Sequence, residues 1–163
     1  MIRRGLAIAL FVLAGAARAG GPTVSCTVYG VLDGDTITVR CGQQDQQRIR
    51  LAEIDAPEKA QAFGQRAKEA LSDLVYRKTV QLIPLSTDRY GRVVAELSVD
   101  GVSVQRSMLQ SGMAWCYRQY AKSAWCVEDE AVAREKRIGL WSEARPTPPW
   151  EWRKARRTPN PMP

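Results

Sequence analysis

The stretch V31-L-D-G-D-T-I-T-V-R-C-G-Q-Q-D-Q-Q-R-I-R-L-A-E-I-D-A-P-E58 decides how the rest of the chain is read. Asp33-Gly34 has the composition of a two-residue hairpin turn of the kind that needs positive φ. It is flanked by Val28, Val31 and Leu32 on one side and Ile37 and Val39 on the other. The turn does not explain Asp35, a residue type that strands disfavour. A second run alternates Arg48, Ile49, Arg50, Leu51 and stops at Asp55-Ala56-Pro57-Glu58, where proline ends the ladder. If the two runs are neighbours in one sheet, Asp35 and Asp55 sit at strand ends on the same side. Two converging carboxylates with an arginine close by suit a hard cation facing an anion.

Asp33-Gly34-Asp35-Thr36, then Arg50-Leu51 with Asp55 and Pro57-Glu58, then Asp88-Arg89-Tyr90-Gly91-Arg92 resemble, in order and spacing, the staphylococcal nuclease family. The likeness continues through Gly112-Met113-Ala114-Trp115 to Gly139-Leu140-Trp141 and covers roughly residues 24 to 142. It implies a five-stranded OB-fold, a Greek-key barrel in the α+β class with three helices. It implies that Asp35, Asp55 and the carbonyl of Ala56 hold one Ca²⁺, while Arg50 and Arg92 grip the phosphate and Glu58 serves as general base. A guanidinium forks two donors onto a phosphodiester, which an ammonium cannot do. The chain has no histidine, which excludes histidine-dependent nuclease chemistry and leaves a carboxylate with a metal to activate water. Arg89, Tyr90, Tyr117 and Tyr120 are expected to meet the base and terminal phosphate, favouring single-stranded or frayed DNA and RNA.

Three positions and one connection depart from the family pattern. Ala56 stands where threonine is usual, and Gln105 replaces an asparagine. Arg118 occupies the place of a stacking tyrosine, and the link from Glu58 to Phe63 is short. The implied activity is endonucleolytic, with cleavage of the P–O5′ bond leaving a 3′-phosphate and little sequence preference. The alternatives are an inactive nucleic-acid-binding module and an envelope interaction domain acting through the basic tail.

Residues 1–19 carry Arg3-Arg4, an apolar run from Leu6 to Ala14 and Ala17-Arg18-Ala19, the pattern of a secretory signal cleaved after Ala19. The run is too short to span a bilayer. A secreted or periplasmic monomer is expected. Net charge is +7, but residues 20–144 hold 16 basic and 16 acidic side chains, so the excess lies at the two ends. Phosphate binding in the body therefore falls to a few placed arginines. Cys26, Cys41, Cys116 and Cys126 allow three disulfide pairings. A hairpin centred on Asp33-Gly34 would put Cys26 opposite Cys41 if no bulge intervenes, which leaves Cys116 with Cys126.

Helical spacing of Phe63, Ala67, Ala70, Leu71, Leu74 and Val75 predicts a helix over 63–76, with others over 104–110 and 123–137. Strands are expected over 79–85 and 93–99. The tail, 145–163, contains six of the nine prolines and reads as a flexible basic extension. Its Trp150 and Trp152 are expected to pack back on the barrel with the charges solubilising. The competing reading is a tether to nucleic acid or an acidic surface.

Overall fold

Apolar residues on alternate positions make the first three strands, β1 (Val24–Val31), β2 (Thr36–Arg40) and β3 (Gln47–Leu51), turning Cys26, Val28, Ile37, Val39, Ile49 and Leu51 inward. The computed structural model describes residues 22–157, so the secretory-signal reading of 1–19 lies outside the described residues. After β3 come β4 (Ile54–Asp55), α1 (Gly64–Val75), β5 (Thr79–Thr87), β6 (Val93–Val99), β7 (Val102–Ser103), α2 (Val104–Gln110), β8 (Trp115–Cys116) and α3 (Ala124–Glu135). A 3-10 turn (Gly139–Ser142) and α4 (Pro149–Arg157) follow. Five strands in the order β3-β2-β1-β5-β6 are antiparallel neighbours, and β3 then pairs parallel with β6 at Ile49↔Val93 and Leu51↔Ala95. That last pairing closes the sheet into a five-stranded OB barrel and removes its open edges. Leu71 and Val75 of α1 with Met108 and Leu109 of α2 are fully buried and belong to the same core as the inward strand residues. The buried Gln105 amide joins α2 to β6, donating to the Ala95 carbonyl (3.1 Å) and accepting from Leu97 N–H (3.2 Å).

The first hairpin forms, but its turn is longer than the two residues expected. Leu32 N–H donates to the Thr36 carbonyl (2.9 Å), leaving Asp33, Gly34 and Asp35 in the loop. The added residue shifts the register near the turn to Val31↔Ile37 and Gly30↔Thr38. A bulge at Tyr29 restores Val28↔Val39 and Thr27↔Arg40. The two irregularities cancel, so Cys26 still meets Cys41. Nor does Gly34 take a positive φ. A Cβ there would lie 2.7 Å from both the Ala56 and Ala67 Cβ atoms. Glycine is needed because the turn is pressed between the strand end that carries Asp55 and helix α1.

The disulfides are Cys26–Cys41, with a separation of 15 residues, and Cys116–Cys126, with a separation of 10. Two disulfides fit an oxidising compartment. No described helix is long and apolar enough to cross a membrane. Replacing Cys26 and Cys41 together by alanine should lower the urea-unfolding free energy by roughly 3 kcal/mol, the chain-entropy value for a loop of about 15 residues. An unchanged midpoint would show that the bridge does not constrain the unfolded chain.

The largest departure from expectation is the tail. Residues 149–157 are not an extended flexible segment but the fourth helix, one more than expected. Trp150 lies against Trp115 (ring centroids 5.6 Å) and stacks on Tyr117 (5.5 Å). Pro148-Pro149 at the entry, Glu151 in the first turn and Lys154, Arg156 and Arg157 in the last turn are a helix signature. The count of prolines concealed it. Residues 158–163 lie outside the described residues.

Candidate active site

Asp35 closes the first hairpin turn and ties it to the end of β3. Its N–H donates to Asp33 Oδ1 (3.0 Å), and its carbonyl accepts from Leu51 N–H (2.8 Å). Its carboxylate accepts from Thr36 Oγ1 (2.8 Å) and from Ala56 N–H (3.2 Å). Asp55 comes from β4, which the ladder with β8 holds in place at Asp55↔Trp115. Both acids reach one guanidinium nitrogen: Arg50 Nη2 lies 3.2 Å from Asp35 Oδ2 and 3.0 Å from Asp55 Oδ1. Arg50 Nη1 donates to the Leu51 and Ile54 carbonyls (2.8 and 3.0 Å). Arg50 therefore fastens β3 to β4 while setting the two carboxylates side by side. The surface salt bridge that a solvated strand arginine would make is replaced by a buried one.

The acids are crowded in a region of low dielectric. Burial pushes the Asp33 carboxyl up to about 6, with the Asp35 charge adding to it. Asp55 is likewise raised, by burial and by Asp35, against the opposing pull of Arg153 and Arg50. Burial works against a charged Arg50, but Asp35 and Asp55 outweigh it and hold the guanidinium above its ordinary value. The cluster carries more negative charge than Arg50 answers.

Arg92 enters from the turn between β5 and β6. Asp88 Oδ1 accepts from the N–H groups of Tyr90 (2.9 Å) and Arg92 (3.0 Å), and its Oδ2 takes Arg92 Nε (2.8 Å). Gly91 at φ 76° makes the tight return possible. Burial alone would raise Asp88, but these bonds from Arg92 and Tyr90 hold it below the usual carboxylate range. Arg92 Nη1 donates to Thr36 Oγ1 (3.2 Å), and that hydroxyl bonds Asp35. A line of hydrogen bonds thus runs from Arg92 through Thr36 to the aspartate pair.

Glu58 is held by a short loop. Its N–H donates to Gln61 Oε1 (3.1 Å), and its carbonyl accepts from Gln61 N–H (2.8 Å). A Cβ at Gly64 would come within 2.0 Å of the Glu58 carbonyl oxygen, so α1 can begin directly under this loop only with glycine there. Gln61 Nε2 also donates to the Thr147 carbonyl (2.6 Å), joining the loop to the segment before α4. Arg153 of α4 reaches the acids themselves. Its Nη1 lies 2.7 Å from Glu58 Oε1 and its Nη2 lies 2.8 Å from Asp55 Oδ2.

One cleft of about 750 Å³ is lined by Asp35, Arg50, Asp55, Ala56, Glu58, Arg89, Tyr90, Arg92, Tyr117 and Tyr120, and also by Arg153. Profile comparison finds the family described as Staphylococcal nuclease homologue over residues 48–143. The chain belongs to the staphylococcal nuclease family. It is 47% identical over 139 residues to a protein of Shigella flexneri named micrococcal nuclease, covering 78% of this chain and 79% of that one. It is 42% identical over 130 residues to a Haemophilus influenzae protein named as an uncharacterized endonuclease, covering 80% and 73%. It is 43% identical over 110 residues to staphylococcal-like nuclease CAN1 of Arabidopsis thaliana, covering 68% of this chain and 34% of that longer one.

The aromatic positions of this family member are unequal. Tyr90 is exposed, with Arg89 and Arg92 near its ring (5.0 and 5.7 Å). Tyr120 is also exposed and meets Tyr117 edge-on at 4.8 Å. Tyr117 has one face covered by the parallel ring of Trp150, interplanar angle 1°, and the Arg50 guanidinium also lies over its ring at 5.9 Å from the centroid, so it is a packed ring and less available to a base than Tyr90 or Tyr120. Arg118 turns away to Glu130 (3.5 Å) and adds nothing to the cleft.

Sequence reading missed Thr36 as the link between Arg92 and Asp35, Asp88 as the anchor of Arg92, and Arg153. The first two are the ordinary companions of a placed guanidinium and have no signal of their own. Arg153 had one: it follows Trp150 by three residues, so both fall on one face of a helix. The oxygen donors fit a hard cation. Two carboxylates converge, burial raises the proton affinity of Asp55, and guanidinium groups already answer both of its oxygens, Arg50 at Oδ1 and Arg153 at Oδ1 and Oδ2. Among the described residues no three Asp, Glu, Cys or His side chains form a closed cage. A cation there would depend on carbonyl, water or phosphate oxygens for the rest of its shell.

Proposed function

We propose that the protein is a secreted or periplasmic Ca²⁺-dependent endonuclease that hydrolyses DNA and RNA with weak sequence preference and leaves 3′-phosphate ends. The observation that carries this is the gathering of Asp35, Asp55, Arg50, Arg92 and Glu58 around one cleft by elements far apart in the chain. Asp35, Asp55 and the Ala56 carbonyl would hold Ca²⁺, which supplies positive charge to a phosphoryl oxygen. Arg50 and Arg92, which line the same cleft, would answer the charge that grows on the phosphate oxygens during attack. Glu58 takes a proton from the attacking water as its oxygen bonds to phosphorus. The P–O5′ bond breaks, and the departing 5′ oxygen takes its proton from solvent water.

Tyr90 and Tyr120, with Arg89, supply exposed ring faces and a cation for an unstacked strand, which supports a preference for single-stranded or frayed substrate. The working unit is a monomer. Residues 20–144 form the nuclease-like domain, and the helix that follows is docked upon it.

The second reading, a binding module without turnover, is favoured by one feature: Arg153 occupies Asp55 and Glu58 together. Titrating Ca²⁺ into purified protein with plasmid, single-stranded DNA and RNA separates the two. The nuclease reading expects cleavage that rises with Ca²⁺, stops in chelator and yields 3′-phosphate termini. Binding without cleavage at saturating Ca²⁺ supports the second reading, and full cleavage in chelator rules out the metal mechanism.

A further inference from the structure

We propose that helix α4 is a built-in competitor for the divalent cation, with Arg153 as the competing group. This rests on the cation site proposed above and adds a regulatory element that the family-matching segment, residues 48–143, does not contain. Arg153 Nη1 and Nη2 contact Asp55 Oδ1 and Oδ2 (3.2 and 2.8 Å), and Nη1 also contacts Glu58 Oε1 (2.7 Å). A guanidinium bridging these two acids stands where the cation's charge would act and engages the carboxylate assigned to receive the water's proton. Arg50 is different in kind. It binds two main-chain carbonyls as well as the acids and belongs to the strand framework. Arg153 has a side chain 32% exposed against 14% for Arg50, and among the described residues it donates to carboxylate oxygens of Asp55 and Glu58.

The helix does not need Arg153 to stay docked. Pro149 is buried, Trp150 packs on Trp115 and Tyr117, and Thr147 is bonded to Gln61. Arg153 can therefore swing from the acids while α4 remains in place, and its long stem lets it follow a phosphate oxygen instead. Apparent cation affinity then equals the intrinsic affinity reduced by the fraction of molecules in which Asp55 is released. The tail sets the cation concentration at which the site fills.

The test is calorimetric titration of chelator-stripped full-length protein with CaCl₂ and no nucleic acid. Arg153→Ala, and Arg153→Met to keep the aliphatic stem, are expected to bind Ca²⁺ at least about tenfold more tightly than the unaltered protein. Arg156→Ala removes an equal charge from α4 without touching the acids and is expected to stay within about twofold, because an exposed charge is largely screened. Equal or weaker Ca²⁺ binding by both Arg153 variants overturns the inference and leaves the cation site standing. Equal tightening by Arg156→Ala overturns it as well, since the effect would then be one of general charge. No Ca²⁺ binding by any of the proteins overturns the inference and the cation site together.

Discussion

Replacing Arg50 by alanine is expected to lower the rate of phosphodiester cleavage by about 10³- to 10⁵-fold, the range for removing a guanidinium that meets a phosphoryl transition state. Two separate losses add here. The first is catalytic: a guanidinium charge that answers the negative charge growing on the phosphate is gone. The second is structural, because Arg50 Nη2 is shared by Asp35 and Asp55 while Nη1 holds the Leu51 and Ile54 carbonyls. Removing one partner from a buried ion pair costs about 3–5 kcal/mol, so the variant should also unfold at lower urea. Lysine at this position keeps a charge but cannot serve four oxygens, and most of the loss should remain. Arg92→Ala separates the effects. Its guanidinium leans on Asp88 and Thr36 near the surface, so cleavage should fall steeply while the urea midpoint barely moves. Single-turnover cleavage rates beside urea melts would check both. If Arg50→Ala keeps a tenth or more of the rate, its role is confined to joining β3 and β4.

The contrast between these two arginines shows what sequence could and could not reveal. Local patterns were enough for the strands, because alternation at Ile49 and Leu51 or at Val80 and Leu82 follows directly from one buried face. Ordered motifs then brought Asp35, Arg50, Asp55, Glu58 and Arg92 under suspicion together. Two kinds of information stayed hidden. One was compensation: the longer turn at Gly34 and the bulge at Tyr29 each change the register by one, and a sequence shows only their sum. The other was docking at a distance. Arg153 is about a hundred residues from Asp55, and its place three residues after Trp150 puts it on that tryptophan's helix face without saying what the face meets, while Arg156 lies near the Trp152 ring (5.8 Å). Buried Pro149 and the packing of Trp150 on Trp115 and Tyr117 give α4 a fixed rotation about its axis, and that rotation decides which arginine faces the acids. The tail was expected to pack its tryptophans back on the barrel, and Trp150 does so. The expectation that its charges merely solubilise failed at Arg153.

Exposure also divides labour among the carboxylates, and this leads to the second large effect. The side chains of Asp35 and Asp55 are 10% and 2% exposed, whereas that of Glu58 is 41% exposed. A general base must meet water, and among these three only Glu58 does so freely. Glu58→Gln keeps the shape and an oxygen for Arg153 but has no lone pair basic enough to take a proton. Cleavage is expected to fall by about 10²- to 10⁴-fold, the usual contribution of general-base catalysis. The loss should appear in kcat with KM little changed, because substrate is gripped by Arg50, Arg92 and the exposed rings, and the proton moves only in the transition state. Calcium affinity should change little or rise slightly, since the substitution deprives Arg153 of one of its two acidic partners and loosens its hold on Asp55. A cleavage assay alone could not distinguish a lost base from a disturbed cation site. Rate and Ca²⁺ titration measured on the same variant can, because a lost base lowers the rate without weakening the cation. If kcat stays within tenfold, the proton goes elsewhere. If both kcat and Ca²⁺ affinity collapse, Glu58 is holding the cation and the division by exposure is wrong.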